Sequence, residues 1–556
     1  MREFIPKSFL YLTRGYSGKA FGKDLFAGIT VGIIALPLCM AFAIASGVGP
    51  ERGIYTAIVA GFCVSAFGGS RVQIGGPTGA FVVLIFDIVA RNGYGGLAVC
   101  TLIAAVILIG MGVAKLGSWI KYVPHPLVVG FTSGIALLIF SGQIKDFFGL
   151  QMEEVPAEFV EKWIAYIRAF STLHAPTLIL SSATLALILF IRRFVPRVPW
   201  GIAAIVLATG ASILFELPVE TIQSRYGDLP SFLPIPSFPS LEIPAGKLQE
   251  YLFDGLAIAF LGGLESLLSA VIADGMIGGR HKSNCELVGQ GIANFASVVF
   301  GGIPATGAIA RTASNVKTGA QTPMAGMIHA FVLLAILFFL SPVVSQIPLA
   351  SLAAILIMVS WTMSEAHYFV RLFRAPLGDI AILLTAFLLT VFVDITFAIA
   401  IGMVLASLLF MKRMGDSAEM RHLFHEDGSD FPEQSDPDAI EKRQVPPGVE
   451  VYEISGPFFF GAADLLQDLI VKQPKIYILR MRKVSLIDAS GMHALKEFYL
   501  HCQKVGAKLL LSGIHKATAK DLQKFGLYDQ IGKESIFPHI DAALAKAEQL
   551  TGTRTV

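Results

Sequence analysis

A run of about 20 apolar residues is long enough to cross the hydrocarbon core of a bilayer, and a water-soluble fold has no room for many such runs. This chain carries them at Leu25–Gly47, Leu97–Ala114, Leu127–Gly142, Thr177–Ile191, Gly201–Leu217, Phe253–Ala273, Met324–Leu340, Leu349–Met363 and Ile380–Met411. The last is long enough for two passes broken at Asp394. Four shorter runs, Ile54–Phe67, Pro77–Ala90, Leu287–Phe300 and Ala305–Val316, contain Gly, Pro and polar residues. They read as half-helices or broken helices shielded by protein rather than by lipid. The sum is fourteen segments of an α-helical polytopic membrane protein. Only 15 % of the 556 residues are charged and 54 % are hydrophobic, against about 25 % charged in an ordinary soluble domain. The apolar excess stops near Met411 and dense charge follows, which divides the chain into a body in lipid and a body in water.

Basic residues fix an expected orientation. Arg2, Lys7, Arg14, Lys19 and Lys23 precede the first span, so the N-terminus is placed in the cytoplasm by the positive-inside rule. The inner loops then hold Lys115 and Lys121, Arg192, Arg193 and Arg197, Arg280 and Lys282, Arg371 and Arg374, and Lys412 and Arg413. The outer segments are mainly acidic: Asp146–Arg168 carries Glu153, Glu154, Glu158 and Glu161, and Leu217–Pro244 carries Glu220, Asp228 and Glu242. An even number of spans returns the C-terminus to the cytoplasm. The start lacks the short apolar core and small-residue cleavage site of a signal peptide.

One local echo organises the membrane body. Phe67-Gly-Gly and Gly76-Pro-Thr-Gly-Ala80 are answered by Phe300-Gly-Gly-Ile-Pro-Ala-Thr-Gly-Ala308. Each Thr-Gly-Ala opens the third segment of a set of seven, and because seven is odd the second set runs through the membrane in the opposite sense. The pattern is an inverted 7+7 repeat. A helix that begins inside a membrane presents unpaired N–H groups and the positive end of its dipole, so an anion is its natural partner. The starts at Thr78, Gly79 and Ala80 and at Thr306, Gly307 and Ala308 are therefore candidate anion-binding positions. Helix breakage tolerated for packing is the plainer alternative.

Three further side chains stand out in the spans. Arg311 lies five residues past Thr306, where a charge is costly unless paired or solvated. It asks for an anion, or for a permanent partner such as Glu265. Glu265 lies between Asp254 and Asp274, near the middle of a span, with Ser269 one turn away on the same face. A desolvated carboxyl there is a candidate proton-coupling group, the alternatives being a permanently protonated hydrogen-bonding Glu or a sodium ligand. Phe42 follows Pro37 in the first span and reads by composition as a core aromatic.

Other chemistries are unsupported. His125, His174, His329 and His367 form no metal-ligand spacing, and no phosphate-binding loop is present, so energy has to come from a gradient. Five cysteines without paired spacing suggest neither a disulfide framework nor a zinc site. A net charge of +2 without a basic cluster offers no nucleic-acid footprint. No cofactor is expected. After Lys412 the polar stretch Asp416–Pro447 reads as a linker without fixed structure. Strands at Val449–Ile454, Lys475–Met481 and Lys508–Ser512 then alternate with helices at Ala462–Val471, Ser490–Val505, Ala517–Phe525 and Ile540–Leu550, which is a small α/β sandwich. Asp488 and Ser490 sit at a strand-to-helix turn. Helix capping is their plain role, and a phosphate at Ser490 would act as a regulatory switch.

The stretches Asp24-Leu-Phe-Ala-Gly-Ile-Thr-Val-Gly-Ile-Ile-Ala-Leu-Pro37, Gly75-Gly-Pro-Thr-Gly-Ala80, Leu264-Glu-Ser-Leu-Leu-Ser-Ala-Val-Ile-Ala-Asp-Gly275 and Thr306-Gly-Ala-Ile-Ala-Arg-Thr-Ala-Ser-Asn315 resemble the SulP family of anion permeases. The tail from about Val449 resembles its STAS domain through Asp488-Ala-Ser-Gly491. The resemblance implies a UraA-like 7+7 fold, a mobile core domain moving against a gate domain, and a homodimer. It also implies a substrate held between the two half-helix starts, against Phe42, with Arg311 nearby. Family members with Asp at the position of Glu265 couple bicarbonate to sodium, whereas Glu is typical of proton-coupled members. Some animal relatives carry Gln where this chain has Leu38, so no contact is carried over there. The serine phosphorylated in the anti-sigma antagonists maps to Ser490. Gln143–Met152 and Met363–His367 look most like the bacterial dicarboxylic-acid uptake branch, although neither was expected at the binding site.

The expected organisation is a cytoplasmic segment 1–23, a transport domain 24–413, a linker 414–447 and a STAS domain 448–556. The expected activity is secondary, elevator-like transport, not enzymatic, in a bacterial inner membrane, importing succinate, fumarate or aspartate with protons. Sulfate or bicarbonate transport, a passive anion channel, and a membrane anchor for a STAS-bound cytoplasmic partner are the competing expectations.

Overall fold

The computed structural model describes all residues except 1, 14, 153–154, 196–197, 240–242, 245, 418, 423–442, 460–465, 467–468, 470–473 and 553–556. Arg14, Glu153, Glu154, Arg197 and Glu242, most of the expected linker and most of the helix expected at Ala462–Val471 lie outside the described residues. The chain divides into two compact units, Met1–Val404 and Leu405–Val556.

The long helices up to the second unit's sheet are α1 (Gly18–Ala45), α2 (Pro50–Phe67), α3 (Gly79–Val113), α4 (His125–Gly142), α5 (Ala175–Phe194), α6 (Trp200–Leu214), α7 (Leu248–Ile277), α8 (Ser283–Val299), α9 (Ile309–Lys317), α10 (Met324–Ser345), α11 (Leu349–Met363), α12 (Leu377–Phe392) and α13 (Ile395–Asp416), the last running across the boundary between the units. Gly93 breaks α3 with φ 64°, so that helix supplies two segments. Fourteen segments result, seven on either side of the Leu217–Pro244 connection. Among the described residues, eight helices are long and apolar enough to cross a membrane. The shorter ones lean on neighbouring protein, and apolar side chains such as Phe190, Leu207, Phe331 and Phe339 are exposed on the outside of the unit, as a chain solvated by lipid requires.

Two of the four segments expected to be broken are continuous. Pro50 occupies the first turn of α2, where its missing N–H is no loss, and the helix runs unbroken to Phe67. The polar residues of α8 do not interrupt it either. Glu286, Gln290, Asn294 and Ser297 recur at helical spacing, and all four are buried. They form the hydrogen-bonding face that holds α8 to its neighbours. Only the segments opening at Gly79 and Ile309 start within the unit as half-helices.

The helices pack as two groups. In one, α1, α2 and α10 pack mutually, α8 packs on α2 and α3, and α7 packs on α3 and α9. In the other, α4 packs on α12 and α11, and α5 packs on α11 and α6. Small residues permit the close crossings. A Cβ at Gly28 of α1 would lie 2.6 Å from the Ala325 carbonyl of α10, and one at Gly130 of α4 2.5 Å from the Leu383 carbonyl of α12.

The second unit is built on a five-stranded sheet in the order β3 (Glu419–His422), β4 (Val449–Ser455), β5 (Ile476–Lys483), β6 (Lys508–Ser512) and β7 (Ile536–Phe537), counted after two short strands of the first unit, β1 (Gly75–Gly76) and β2 (Thr306–Gly307). Strands β4 to β7 are parallel, and β3 is antiparallel on the edge. Strand β3 corrects the expectation of an unstructured stretch from Asp416. Its residues close the otherwise open edge of β4, in the register Glu419↔Ser455 to His422↔Tyr452. The sheet is covered on both sides. Tyr452, Ile454, Tyr477, Leu479 and Leu511 face α14 (Ala489–Val505), and Val451, Ile476, Ile478 and Leu510 face α17 (Ile540–Thr551). Two short helices, α15 (Lys516–Lys524) and α16 (Leu527–Ile531), lie between β6 and β7 in sequence.

Candidate functional site

The two Thr-Gly-Ala starts are brought together by backbone pairing. Strands β1 and β2 run antiparallel with Gly75 opposite Gly307 and Gly76 opposite Thr306. The pairing continues where the Ala308 N–H donates to the Ile74 carbonyl at 2.8 Å and the Ile74 N–H donates to Thr312 Oγ1 at 3.1 Å. Gly76 takes φ 147°, and a Cβ there would stand 2.7 Å from the Arg311 guanidinium. That backbone and that proximity leave room only for glycine.

The half-helix α3 opens at Gly79 behind Thr78, whose hydroxyl is buried and has no partner among the described residues. Phe42 of α1 forms one wall, since a Cβ on Gly79 would meet its ring at 3.4 Å. Met363 Sδ at 3.1 Å and Ile139 at 3.5 Å from the same point form the opposite wall, contributed by α11 and α4. Met363 belongs to a sequence stretch not expected at the binding site. The structure places it against Gly79, because α11 ends at Met363 and Glu365 turns the chain with φ 43° into the short helix Ala366–Leu372. No hydropathy pattern marks that contact, since Met363 reads as the last apolar residue of a span.

Arg311 is 3 % exposed. It does not pair with Glu265. Its guanidinium donates to the Pro77 carbonyl, immediately before the first half-helix, and to Cys39 Sγ at 3.5 Å. A residue of the second half-helix thus supplies a cation to the mouth of the first. Both acceptors are neutral, so the positive charge has no counter-charge at ion-pair distance among the described residues.

Glu265 is 8 % exposed and makes neither a hydrogen bond nor an ion pair among the described residues. Its face of α7 is turned towards the second half-helix. Gly262, one turn before it, accepts the Thr306 hydroxyl at 2.7 Å, and Ser269, one turn after it, donates to Thr312 Oγ1 at 3.0 Å. Ser269 and Thr306 therefore tie α7 to the opening of α9, with Glu265 between the two ties. Ala80, Gly307 and Ala308 are likewise buried at the paired starts.

A second buried carboxylate escaped sequence reading. Glu286 is fully buried on α8, where it accepts the Gly69 and Ser70 N–H groups at 2.8 and 3.0 Å, Ser266 Oγ at 3.0 Å and Gln290 Nε2 at 3.2 Å. Gln73 also donates to Ser266 Oγ, at 2.8 Å. Four donors satisfy this carboxylate, which makes it an anchor between α7, α8 and the segment leading to β1. The contrast separates two roles: Glu286 is fixed, and its near neighbour Glu265 is free. Asn294 brackets the approach to the other start, accepting the Ala305 N–H at 2.8 Å and donating to its carbonyl at 2.9 Å.

In the second unit, Asp488 caps α14 by accepting the Gly491 N–H at 2.8 Å. Ser490 lies one residue inside that helix and is half-buried. The capping role falls to Asp488 alone, and the serine hydroxyl stays at the helix N-terminus.

Comparison with known proteins follows the same division. The signature of the Sulfate permease family covers residues 21–386, and that of the STAS domain covers residues 442–543. The putative sulfate transporter YvdB of Bacillus subtilis is 41 % identical over 95 % of this chain and 98 % of its own length. The bicarbonate transporter BicA of Picosynechococcus is 30 % identical over 79 % of each chain. Among solved structures, the murine Slc26a9 anion transporter superposes with a TM-score of 0.86 at 18 % identity, covering 98 % of this chain and 94 % of that one. The transmembrane domain of a cyanobacterial BicA gives 0.59 at 29 % identity, covering 70 % of this chain and 98 % of that one. Neither relative is named for a dicarboxylate, and the dicarboxylic-acid branch suggested by Gln143–Met152 and Met363–His367 finds no support.

Proposed function

On the premise that the chain belongs to the sulfate permease family and is a multi-pass anion transporter with a C-terminal STAS domain, we propose that it imports a small inorganic oxyanion, sulfate, by proton-coupled symport. Sulfate replaces the dicarboxylate expectation because relatives covering nearly the whole chain are named for it. The observation that carries the proposal is the charge arrangement at the paired half-helix starts. Two helix N-termini and Arg311, which has no counter-charge at ion-pair distance among the described residues, converge behind Gly79, while the unpaired carboxyl of Glu265 faces the second start.

In this mechanism the anion takes the N–H groups of Gly79 and Ala80 and the hydroxyl of Thr78, against Phe42. Thr306, Gly307 and Ala308 shape the opposite start, and Arg311 supplies the counter-charge. Glu265 carries the proton, and Ser269 holds the α7 face that presents it. Release of the anion and of the proton on the same side makes transport electrochemically coupled. The two helix groups supply the moving core and the gate of an elevator-like cycle.

The proposal includes an N-terminal segment 1–23, a transport domain 24–413, a linker 414–447 and a STAS domain 448–556, both termini being cytoplasmic in a homodimer in a bacterial inner membrane. Ser490 is its candidate regulatory site, through phosphorylation or a cytoplasmic partner. The test is uptake of labelled sulfate, bicarbonate and succinate into proteoliposomes, under an imposed proton gradient and then a sodium gradient. Saturable, proton-driven sulfate uptake supports the proposal. A second substrate reading, bicarbonate, rests on the similarity to BicA. Sodium-driven bicarbonate uptake would establish that reading in place of the first, and non-saturating current without coupled uptake would establish a channel. Retained uptake after deletion of Val449–Val556 makes the STAS domain an accessory to transport.

A further inference from the structure

A cavity of about 310 Å³ lies beside the site, bounded by Ile44 and Val83 of α1 and α3, by Ile139 of α4, and by Phe392 at the end of α12. It therefore opens between the two helix groups, and Ile139 is common to it and to the wall facing Gly79. Its remaining side is the helix Phe159–Ala169, in the stretch that sequence reading had treated only as acidic. That helix packs on the second group through Phe159 against Phe392, with ring centroids 5.7 Å apart, and through Trp163, whose indole N–H donates to Ser141 Oγ at 3.1 Å.

Lys162 projects from this helix into the cavity. It is only 7 % exposed, and among the described residues its ammonium has no hydrogen bond and no carboxylate within ion-pair distance. Its one described contact is the Phe86 ring of α3, 5.4 Å from the ring centroid, across the gap between the helix groups. Burial pushes the Lys162 pKa down. One turn further along the same face, the Tyr166 hydroxyl is also buried without a partner. Two buried donors therefore stand on one helix face with no acceptor, and an aromatic face offsets only part of the loss of solvation of an ammonium.

Three of the four acidic groups that line the cavity are engaged elsewhere. Asp87 pairs with Arg91 at 2.7 Å, Asp146 pairs with Arg225 at 2.8 Å, and Asp394 accepts the Thr396 N–H. Lys145 donates to the Met152 carbonyl at 2.9 Å. Glu158 lies one turn before Lys162 and is exposed, outside ion-pair distance of it.

We propose that this cavity is a second anion subsite, in which Lys162 holds a small oxyanion on its way to the half-helix site. The inference rests on the transport reading above for its direction, which places the cavity on the outer side. It is independent of that reading for binding itself. An anion here meets a desolvated cation before it meets Arg311, so entry proceeds between two positive positions rather than through an apolar gap.

The experiment uses the full-length protein with sulfate as the probe, measured by equilibrium dialysis and by uptake in vesicles of both orientations. The wild type is expected to bind one more sulfate per chain than Lys162→Gln does. That variant should raise the KM for outside sulfate about tenfold and leave the KM for inside sulfate unchanged. Lys162→Arg should restore both. Equal stoichiometry in wild type and Lys162→Gln overturns the subsite. So does a variant in which Glu153, Glu154 and Glu158 are all Gln and which reproduces the Lys162→Gln result, since Lys162 would then serve as an ion-pair partner. If the wild type binds the additional sulfate yet transports none, the transport reading falls and the subsite stands.

Discussion

Arg311→Met removes a cation that touches two neutral acceptors and no carboxylate. The guanidinium lies at the mouth of the first half-helix, bonded to the Pro77 carbonyl. For sulfate, a dianion, about 6 Å away, at an effective dielectric of about 20, its attraction amounts to about 5.5 kcal/mol. Losing it weakens binding about 10,000-fold. The orphaned carbonyl of Pro77 costs a further 1–3 kcal/mol or so, but of stability rather than affinity. Arg311→Lys separates the two. It keeps the charge and forfeits the fork that reaches both Pro77 and Cys39, so its affinity should fall about tenfold while its thermal midpoint falls nearly as far as that of Met. The assay is sulfate binding to purified full-length protein by titration calorimetry, with thermal unfolding in parallel. An Arg311→Met protein that unfolds earlier yet binds sulfate within threefold of wild type refutes the electrostatic role and leaves Arg311 a strut.

Glu265→Gln should retain sulfate binding and exchange but lose uphill accumulation under a proton gradient; full accumulation by this variant excludes the carboxyl from coupling. Gly79→Val should abolish uptake while leaving folding intact, because its branched side chain grows into the space between Met363 Sδ and the Phe42 ring. Wild-type KM in that variant would move the substrate elsewhere. In the STAS domain, burial alone would raise the Glu453 pKa, but hydrogen bonds from Arg482 and Lys483 and the nearby charges hold it below the usual carboxylate range. A depressed folded pKa stabilises fully above the unfolded value of about 4.3 and is lost as pH falls through the folded value. Amide protection in Val449–Ser455, exchange taken relative to the intrinsic rate at each pH, should therefore fall as pH drops below about 4, and Glu453→Gln should flatten that dependence. A pH-independent protection factor in wild type would count against it.

The segments of the membrane body were legible because lipid demands apolar length, and the two half-helix starts because the same Thr-Gly-Ala echo recurs. What hydropathy cannot distinguish is a polar residue buried in protein from one that interrupts a helix. Gln290, Asn294 and Ser297 made α8 look broken, whereas with Glu286 they are the bonding face of a continuous helix. Arg311 was recognisable as a cation in need of compensation, but its reach back to Pro77 depends on the β1–β2 register, which two residues per strand are too short to announce. Met363 shows the same limit from the apolar side: its partner is set by where a helix ends. In the second unit most strands and helices were read within a residue or two; the misses were the short helix Leu527–Ile531, the two-residue strand Ile536–Phe537 and Glu419–His422, whose order comes from the edge of β4 rather than from its own composition.

The ladder joining Gly75–Gly76 to Thr306–Gly307 has a consequence for how such a protein diversifies. Backbone hydrogen bonds set the spacing between paired strands at about 4.8 Å whatever the side chains are, so the two half-helix starts cannot drift apart by gradual substitution. A lineage that changes its cargo from a planar to a tetrahedral oxyanion keeps the same electrostatic clamp and has to reshape the lining instead. Phe42, Ile139 and Met363 are the positions where that reshaping would be recorded.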